Sequence, residues 1–294
     1  MARTLILVAG YPKSGTTWVR IVFEALRRGP GQGISINQME GGYYGGRRRL
    51  LFDEVAPVNS ADLLPEEVDG FLPEVFRALS ERGGAPHIVK AHDCAFRTRS
   101  GEWLYPPDCV QAVIYLTRHP FDVAVSYAHH LGLSVGEAVR HMGAEETVAH
   151  SDRRLRLPLH ERLGSWSGNV SSWLDVPGYD VALARYEDIF ENPATSFARL
   201  IRAAGLSTSE AEIARVCEAT QFERLRSEEE RAGFFERPRT SPNFFRAGRP
   251  RSWTGALDDE LRAELVHDHD AVMTRLGYDA EGGANAAPDL PAIA

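Results

Sequence analysis

Several features that mark common protein classes are rare or missing in this sequence. It has three cysteines, Cys94, Cys109 and Cys217, and no two of them form a CxxC pair. This spacing argues against a disulfide framework or a zinc site and favours a reducing compartment. No apolar run approaches the length of a membrane span, and the first residues lack a signal-peptide layout. We therefore expect a cytoplasmic protein with no membrane partner.

A surplus of positive charge is missing too. The formal net charge is −8, so no overall positive field attracts nucleic acid. If the ligand is an anion, the cations that bind it must be local. The 294 residues, 43% of them hydrophobic, are enough for one large α/β domain or at most two small ones.

Alternating apolar patterns predict the fold class. Short, continuous apolar runs predict buried strands at 4–9, 87–92, 112–117 and 180–186. Helical patterns lie at 16–27, 120–133, 160–176 and 192–205, and Ser207–Glu210 resembles a capping box that opens another helix. This alternation predicts a single-domain α/β fold with a central parallel sheet flanked by helices.

Two segments break the alternation. Residues 37–67 are glycine-rich and then basic, and residues 231–253 are rich in arginine, phenylalanine and proline. We predict mobile loops at both places, because long irregular segments in compact domains are usually functional or disordered. The domain is predicted over 1–280, and 281–294 is predicted to be a disordered tail.

The stretch VAGYPKSGTTWVR, residues 8–20, is the strongest chemical signal. A strand, a glycine-bearing loop and a helix N-terminus together present N–H groups to a phosphate. Gly10 and Gly15 have the spacing of a Walker loop, but the lysine lies inside the loop at Lys13. Two hydroxyls, Thr16 and Thr17, follow Gly15, which suits a terminal phosphate bound without metal. The alternative is an ordinary turn in which Ser14 or Thr16 caps the helix.

The string YPKSGTTW resembles the 5′-phosphosulfate loop of cytosolic-type sulfotransferases. These enzymes use 3′-phosphoadenosine 5′-phosphosulfate (PAPS) and release adenosine 3′,5′-bisphosphate (PAP). Further segments match this family in order, from about residue 5 to residue 277. The resemblance implies a P-loop-like fold, PAPS as the donor, no metal, and a set of loop residues that bind the donor: Lys13, Ser14, Gly15, Thr16, Thr17 and Trp18.

Two segments resemble the family's 3′-phosphate site. In YLTRHPFDVAVSY, residues 115–127, the resemblance assigns Arg118 and Ser126 to that phosphate. In FFRAGRPRSW, residues 244–253, it assigns Arg246 and Gly248. Ala247 replaces the family's lysine, and the sequence leaves open whether Arg249 or Arg251 compensates.

Other segments resemble the family's adenine site. ARYEDIFENP, residues 184–193, makes Tyr186 a candidate contact with the base, and ATQF, residues 219–222, adds Thr220 and Phe222. Trp18 is expected to stack on the adenine ring.

The segment VKAHD, residues 89–93, resembles the family's Lys-Thr-His signature, with Ala91 in place of threonine. The resemblance implies that His92 is the general base and that Lys90 and Lys13 stabilise charge. A neutral imidazole at the end of a buried strand suits this role. Three other histidines, His119, His129 and His130, are expected to be structural.

These observations predict a sulfotransferase that moves a sulfonyl group from PAPS to a hydroxyl or amine by in-line displacement. The alternatives are a P-loop NTP-dependent kinase or GTPase, and a non-catalytic nucleotide-binding protein. The acceptor is expected to be a small molecule: a phenol, an alcohol, a sugar or a natural product. Whether the protein forms a homodimer stays open.

The acceptor pocket is the least defined part of the prediction. Tyr43, Tyr44, Phe96 and Trp103 are candidates to line an apolar pocket. Arg47–Arg49 either contact an acidic sugar or are solvated, and a solvated run is the commoner outcome for such triplets.

Overall fold

A parallel sheet forms the centre of the protein, which a computed structural model describes over residues 3–29, 35–39, 47–83, 86–149 and 158–285. The strands are β1 (Leu5–Ala9), β2 (His87–Ala91), β3 (Val110–Thr117), β4 (Val148–Ala149), β5 (Glu161–Arg162) and β6 (Val181–Arg185). Four of them form the main sheet in the order β2–β1–β3–β6, and β4 pairs antiparallel with β5. The predicted α/β fold with a central parallel sheet is confirmed.

Helices cover both faces of this sheet. They are α1 (Thr16–Arg28), α2 (Arg49–Val55), α3 (Pro65–Ser80), α4 (Pro120–Leu131), α5 (Val135–Gly143), α6 (Trp166–Leu174), α7 (Tyr186–Glu191), α8 (Pro193–Ala203), α9 (Glu210–Ala219), α10 (Phe222–Ala232) and α11 (Asp259–Arg275). No helix in the described part of the chain is long and apolar enough to cross a membrane.

Strand β1 is buried on both faces, as its continuous apolar run predicts. Leu5 and Leu7 pack into one core, which includes the large side chains of α3, α4 and α6. Ile6 and Val8 pack into a second core with α1, α8 and α9. Side chains alternate between faces along a strand, so these two sets hold the helical layers to opposite sides of the sheet.

The chain leaves each strand of the main sheet at the same edge. Gly10, His92, Arg118 and Tyr186 are the residues that directly follow β1, β2, β3 and β6. The connection after β1 leads to β2 on one side, whereas β3 lies on the other side of β1. Such a switch point at the carboxyl ends of the strands is where open α/β sheets bind ligands.

Two predicted features, one helix and one helix cap, differ from the structure. The helix predicted over 160–176 begins only at Trp166, because Gly164 has a φ of +66° and Ser165 caps the helix by accepting the N–H of Gly168. The residues before that turn form β5. The cap of α9 is Ser209, which accepts the N–H of Glu212, rather than Ser207.

The two segments predicted as mobile loops contain ordered contacts. In 37–67, helix α2 forms because Leu51 and Phe52 are buried against the core. Residues 233–253 form neither helix nor strand. Their Phe234 and Phe245 nevertheless pack in a third core with Ile21 of α1. Their mobility stays a prediction. Of the tail predicted over 281–294, residues 281–285 are described, and the carbonyl oxygen of Asn285 accepts from Arg185 at 2.7 Å. The remainder, 286–294, lies outside the described residues.

Candidate active site

A cavity of about 870 Å³ lies at the carboxyl ends of the strands. Most of the residues predicted to bind or react line it. These are Lys13, Gly15, Thr16, Thr17, Trp18, Lys90, His92, Arg118, Ser126, Tyr186, Thr220, Phe222, Arg246 and Gly248. The chain therefore brings together residues that are more than 200 positions apart in the sequence.

The loop after β1 has the backbone that the glycine pattern predicts. Gly15 has a φ of +101°, and a Cβ at this position would lie 2.8 Å from the Tyr186 ring. Lys13 also has a positive φ, +73°, which is uncommon for a residue with a side chain. Helix α1 starts at Thr16, directly after Gly15. It has neither a side-chain cap nor an acidic residue in its first turn. Its N-terminal N–H groups and dipole therefore favour an anion at this end of the cavity.

Among the residues predicted to bind the donor or to react, Ser14 alone does not line the described part of the cavity. Its side chain is buried, and its Oγ makes no hydrogen bond within the described chain. The alternative in which Ser14 caps α1 therefore does not hold, because no side chain accepts from the first turn.

Aromatic side chains gather at the end of the cavity formed by α1, α7 and α10. The Trp18 indole donates to Thr220 Oγ1 at 3.3 Å, and its ring meets Tyr186 edge-on at a centroid distance of 6.0 Å. A Cβ on Gly248 would lie 2.0 Å from the Phe222 ring. Because no side chain fits in that space, position 248 requires glycine. These flat apolar surfaces are the kind on which a nucleotide base stacks.

Cations gather beside the aromatic residues. The Arg118 guanidinium lies 4.3 Å from the centroid of the Tyr186 ring. The Nε atoms of Arg118 and Arg246 are buried and make no hydrogen bond within the described chain. Burial lowers the pKa of Arg246, and the nearby charge of Arg118 lowers it further. Buried donors without partners, on side chains of like charge, fit an anionic ligand.

His92 is held in the tautomer that a general base needs. Its Nδ1 lies 2.7 Å from the carbonyl oxygen of Gly10, and a carbonyl only accepts, so Nδ1 carries the proton. Nε2 therefore holds the lone pair. Burial lowers the pKa of His92 well below its usual value, and the charge of Lys90 lowers it further, so the ring is neutral at pH 7.

Lys13 lies among other cations in the same cavity. Its Nζ is 3.3 Å from His130 Nδ1, to which it donates, and 4.1 Å from the centroid of the Phe244 ring. Burial lowers the pKa of Lys13 to about 7, and Lys90 and Arg118 contribute to that shift. An ammonium group in this setting is destabilised until an anion binds beside it.

His130 and Glu161 are polar residues of the cavity that the sequence did not assign to the site. His130, expected to be structural, contacts Lys13 as described above. Glu161 of β5 is buried near His92, whose backbone N–H it accepts. Burial raises the pKa of Glu161 to about 7, against the opposing charge of Lys90. The signal for Glu161 was hidden because its segment has the pattern of a helix.

The structure corrects the expectation that Arg47–Arg49 is a solvated run. Arg47 is fully buried and donates to Asp69 at 2.7 Å and to Asp93 at 3.0 Å. Asp93 follows His92 directly, so Arg47 joins the segment before α2 to the end of β2. Arg49 donates to Ser60.

The predicted acceptor pocket differs as well. Trp103 packs against Arg97 and Tyr179, and Phe96 lies under the Arg162 guanidinium. Neither lines the described part of the cavity. Tyr43 and Tyr44 lie outside the described residues.

The other two histidines have structural contacts. His119 caps α4 by accepting the N–H of Phe121, and its Nε2 lies 3.0 Å from the Asp279 carbonyl oxygen. His129 Nδ1 lies 3.0 Å from Ser241 Oγ.

The sheet order and the loop after β1 define a P-loop-like α/β fold, and solved structures share it. A mouse sulfotransferase in complex with PAP has a TM-score of 0.58 and 18% identity, over 93% of this chain and 86% of that one. Retinol dehydratase in complex with androsterone and inactive cofactor PAP has a TM-score of 0.60 and 20% identity, over 99% of this chain and 84% of that one.

Sequence comparison gives the family. Sulfotransferase 1A1 of Canis lupus familiaris is 24% identical over 226 residues, and Sulfotransferase 1E1 of Homo sapiens is 26% identical over 224 residues. Each alignment covers 76% of this chain and 66% of the relative, slightly less than two thirds of the relative's length. The family model for the sulfotransferase domain matches residues 108–277, more than half of the chain. This protein belongs to the sulfotransferase family.

Proposed function

We propose that this protein transfers the sulfonyl group of PAPS to a hydroxyl or amine of a small-molecule acceptor. The observation that carries the proposal is that one cavity joins the Lys13 loop, the Lys90–His92 strand end and the Arg118–Arg246 pair. Membership of the sulfotransferase family supports the same reaction class.

The residues at one end of the cavity fit a donor with two separate phosphate groups. The start of α1 with Lys13 is the candidate site for the 5′-phosphosulfate, because it offers N–H groups, hydroxyls and a cation. Arg118, Arg246 and Ser126 form the candidate site for the 3′-phosphate, where buried guanidinium N–H groups need acceptors. Trp18 and Tyr186, with Phe222, offer the aromatic surfaces for adenine.

The geometry of His92 supports a direct displacement. Nε2 of His92 takes the proton of the acceptor hydroxyl while the acceptor oxygen bonds to sulfur. The bond between sulfur and the bridging oxygen breaks, and its electron pair leaves with PAP. Lys13 and Lys90 stabilise the charge that develops on that oxygen. Positioning and fixed positive charge are the main contributions, since the residues form no covalent intermediate.

The other end of the cavity supports an acceptor with an apolar body. Tyr127, Leu131, Pro158 and Phe244 are in the lining, and His130 and Glu161 are two of its polar residues. A phenol, an alcohol, a sugar or another natural product with an accessible hydroxyl meets these requirements.

The test is PAPS-dependent sulfonation of a panel of phenols, alcohols and amines, followed by mass spectrometry. We expect His92→Gln to lower turnover by ~10²–10⁴-fold, the usual contribution of a general base. Glutamine can still donate to Gly10, so stabilisation by PAP in a thermal shift assay should persist. His141→Gln, an exposed histidine on α5, is the matched control and should match the wild type.

Two results would contradict the proposal. One is equal turnover by the wild type and His92→Gln. The other is stabilisation by ATP or GTP with Mg²⁺ but not by PAP, which would favour the kinase or GTPase alternative.

A further inference from the structure

Arg249 lies at the phosphate end of the cavity, beside the Arg118–Arg246 pair. The Arg118 guanidinium donates to the backbone carbonyl of Arg249 at 2.9 Å, which fixes the Arg249 backbone next to Arg118. Arg249 is an exposed residue that lines the cavity. Its guanidinium makes no hydrogen bond or ion pair within the described chain.

Arg251, two residues further on, has a different environment. Its guanidinium donates to the carbonyl oxygen of Glu281 at 3.3 Å, and its backbone N–H donates to Asp122 at 2.7 Å. It does not line the described cavity. Ala247 lines the cavity but carries no charge. Of the basic residues that follow Arg246 in this loop, Arg249 is therefore the one that lines the cavity.

One carboxylate, Asp122, lies beside these arginines, and its single negative charge offsets only part of theirs. Asp122 lies 3.7 Å from Arg118, but its two oxygens already accept from the loop at Arg251, Ser252 and Trp253. The oxygens of Asp122 therefore bind the loop, and Arg118 and Arg246 keep guanidinium N–H groups without acceptors in the described chain. A phosphate monoester carries about −1.5 to −2 charges and three acceptor oxygens, and it can satisfy several guanidinium groups at once.

We propose that Arg249 is a third phosphate-binding arginine, which selects nucleotides that carry a ribose phosphate in addition to the 5′-phosphate. This inference rests on the proposed function, because it refines the site assigned there to the 3′-phosphate. Arg249 takes the role of the lysine that is absent at position 247, from two residues further along the chain.

The experiment compares PAP with 5′-AMP, which lacks the 3′-phosphate, by titration calorimetry. For Arg249→Ala we expect the PAP affinity to fall by ~10- to 100-fold, the usual effect of losing a hydrogen bond to a charged group. The 5′-AMP affinity should stay unchanged, because the 5′-phosphate lies at the other anion site. The loss of one phosphate contact should also make PAP binding less sensitive to salt.

Arg251→Ala is the matched control and should leave both affinities unchanged. Equal losses for PAP and 5′-AMP in Arg249→Ala, or equal effects of the two alanine variants, would overturn the inference. If wild-type protein binds PAP no better than 5′-AMP, the proposed function itself fails. Melting temperatures without ligand show whether either variant is misfolded.

Discussion

Lys13 is a residue whose charge depends on whether an anion lies beside it. Burial lowers its pKa to about 7, and the charges of Lys90 and Arg118 act in the same direction, while Glu236 opposes them. In the free protein the Lys13 side chain is therefore only partly protonated at neutral pH. A phosphate beside Lys13 raises the pKa again, because an opposite charge favours the protonated form.

This coupling predicts how PAP affinity varies with pH. Below pH 7 the free protein already carries the proton, so affinity is highest there. As pH rises from about 7 to 9, Lys13 has to take up a proton when PAP binds. The PAP affinity should therefore fall by up to about tenfold per pH unit. Calorimetry in buffers of different ionisation enthalpy measures both the affinity and the proton uptake.

Lys13→Arg is the control for this prediction, because arginine stays protonated over the whole range. Its PAP affinity should be nearly independent of pH between 7 and 9. If it loses affinity as steeply as the wild type, Lys13 is not the group that takes up the proton.

The sequence predicts site residues best where a short motif fixes the chemistry. Lys13 and His92 follow buried strands, so their motifs place them at one edge of the sheet. Arg47 and Glu161 carry no such signal. Their burial depends on which distant segments meet, and a basic triplet or a helical pattern does not contain that information.

At the scale of elements, the segment 246–253 is attached to α4 by one carboxylate. Asp122 accepts from the backbone N–H of Arg251 at 2.7 Å and of Trp253 at 3.1 Å, and from Ser252 Oγ at 2.7 Å. This attachment holds the cavity-lining part of the segment, which has no regular secondary structure, next to Arg118.

Asp122→Ala should therefore reduce both stability and nucleotide binding. The substitution leaves two backbone N–H groups without their acceptor, at a cost of about 1–3 kcal/mol each. Urea denaturation and PAP titration measure the two effects. Asp122→Asn retains one acceptor oxygen and should lose less. A loss of PAP affinity without any loss of stability would show that Asp122 does not attach the segment.

Secondary structure is predicted well where a short apolar run marks a strand. All four strands of the main sheet were found from such runs, which are almost continuously buried in β1 and β3 and alternate between buried and half-buried residues in β2 and β6. Strand β5 was not found, since it has two residues and pairs with a strand that is equally short. Such pairing depends on contacts between segments that are distant in the sequence, and local hydrophobic periodicity does not show it.

At the scale of the whole molecule, a largely buried ionic cluster joins four separate parts of the chain. Arg47 donates to Asp69 of α3 and to Asp93 after β2. Arg162 of β5 donates its backbone N–H to Asp93 and its Nε to Asp69. Tyr105 adds a hydrogen bond to Asp93 at 3.0 Å. The cluster therefore connects the end of β2 to α3, to β5 and to the segment before α2 through the buried side chains of Arg47, Asp69 and Asp93.

Arg47→Met should destabilise the protein by about 3–5 kcal/mol, because removing one partner of a buried ion pair leaves uncompensated charge. Urea denaturation measures the loss. Arg77→Met is the matched control, since Arg77 also contacts two carboxylates, Glu102 and Asp108, but at the surface. Surface pairs contribute about 0–1 kcal/mol, so equal losses in the two variants would contradict the prediction.

The cavity has a consequence for covalent chemistry. Among 33 basic residues the chain has two lysines, Lys13 and Lys90, and both line the cavity. Apart from the α-amino group, every primary amine of the protein therefore belongs to the proposed catalytic centre. An acyl or aldehyde label that attaches to a lysine side chain therefore reports on occupancy of that centre. The other basic side chains are arginines, which do not react with such amine labels.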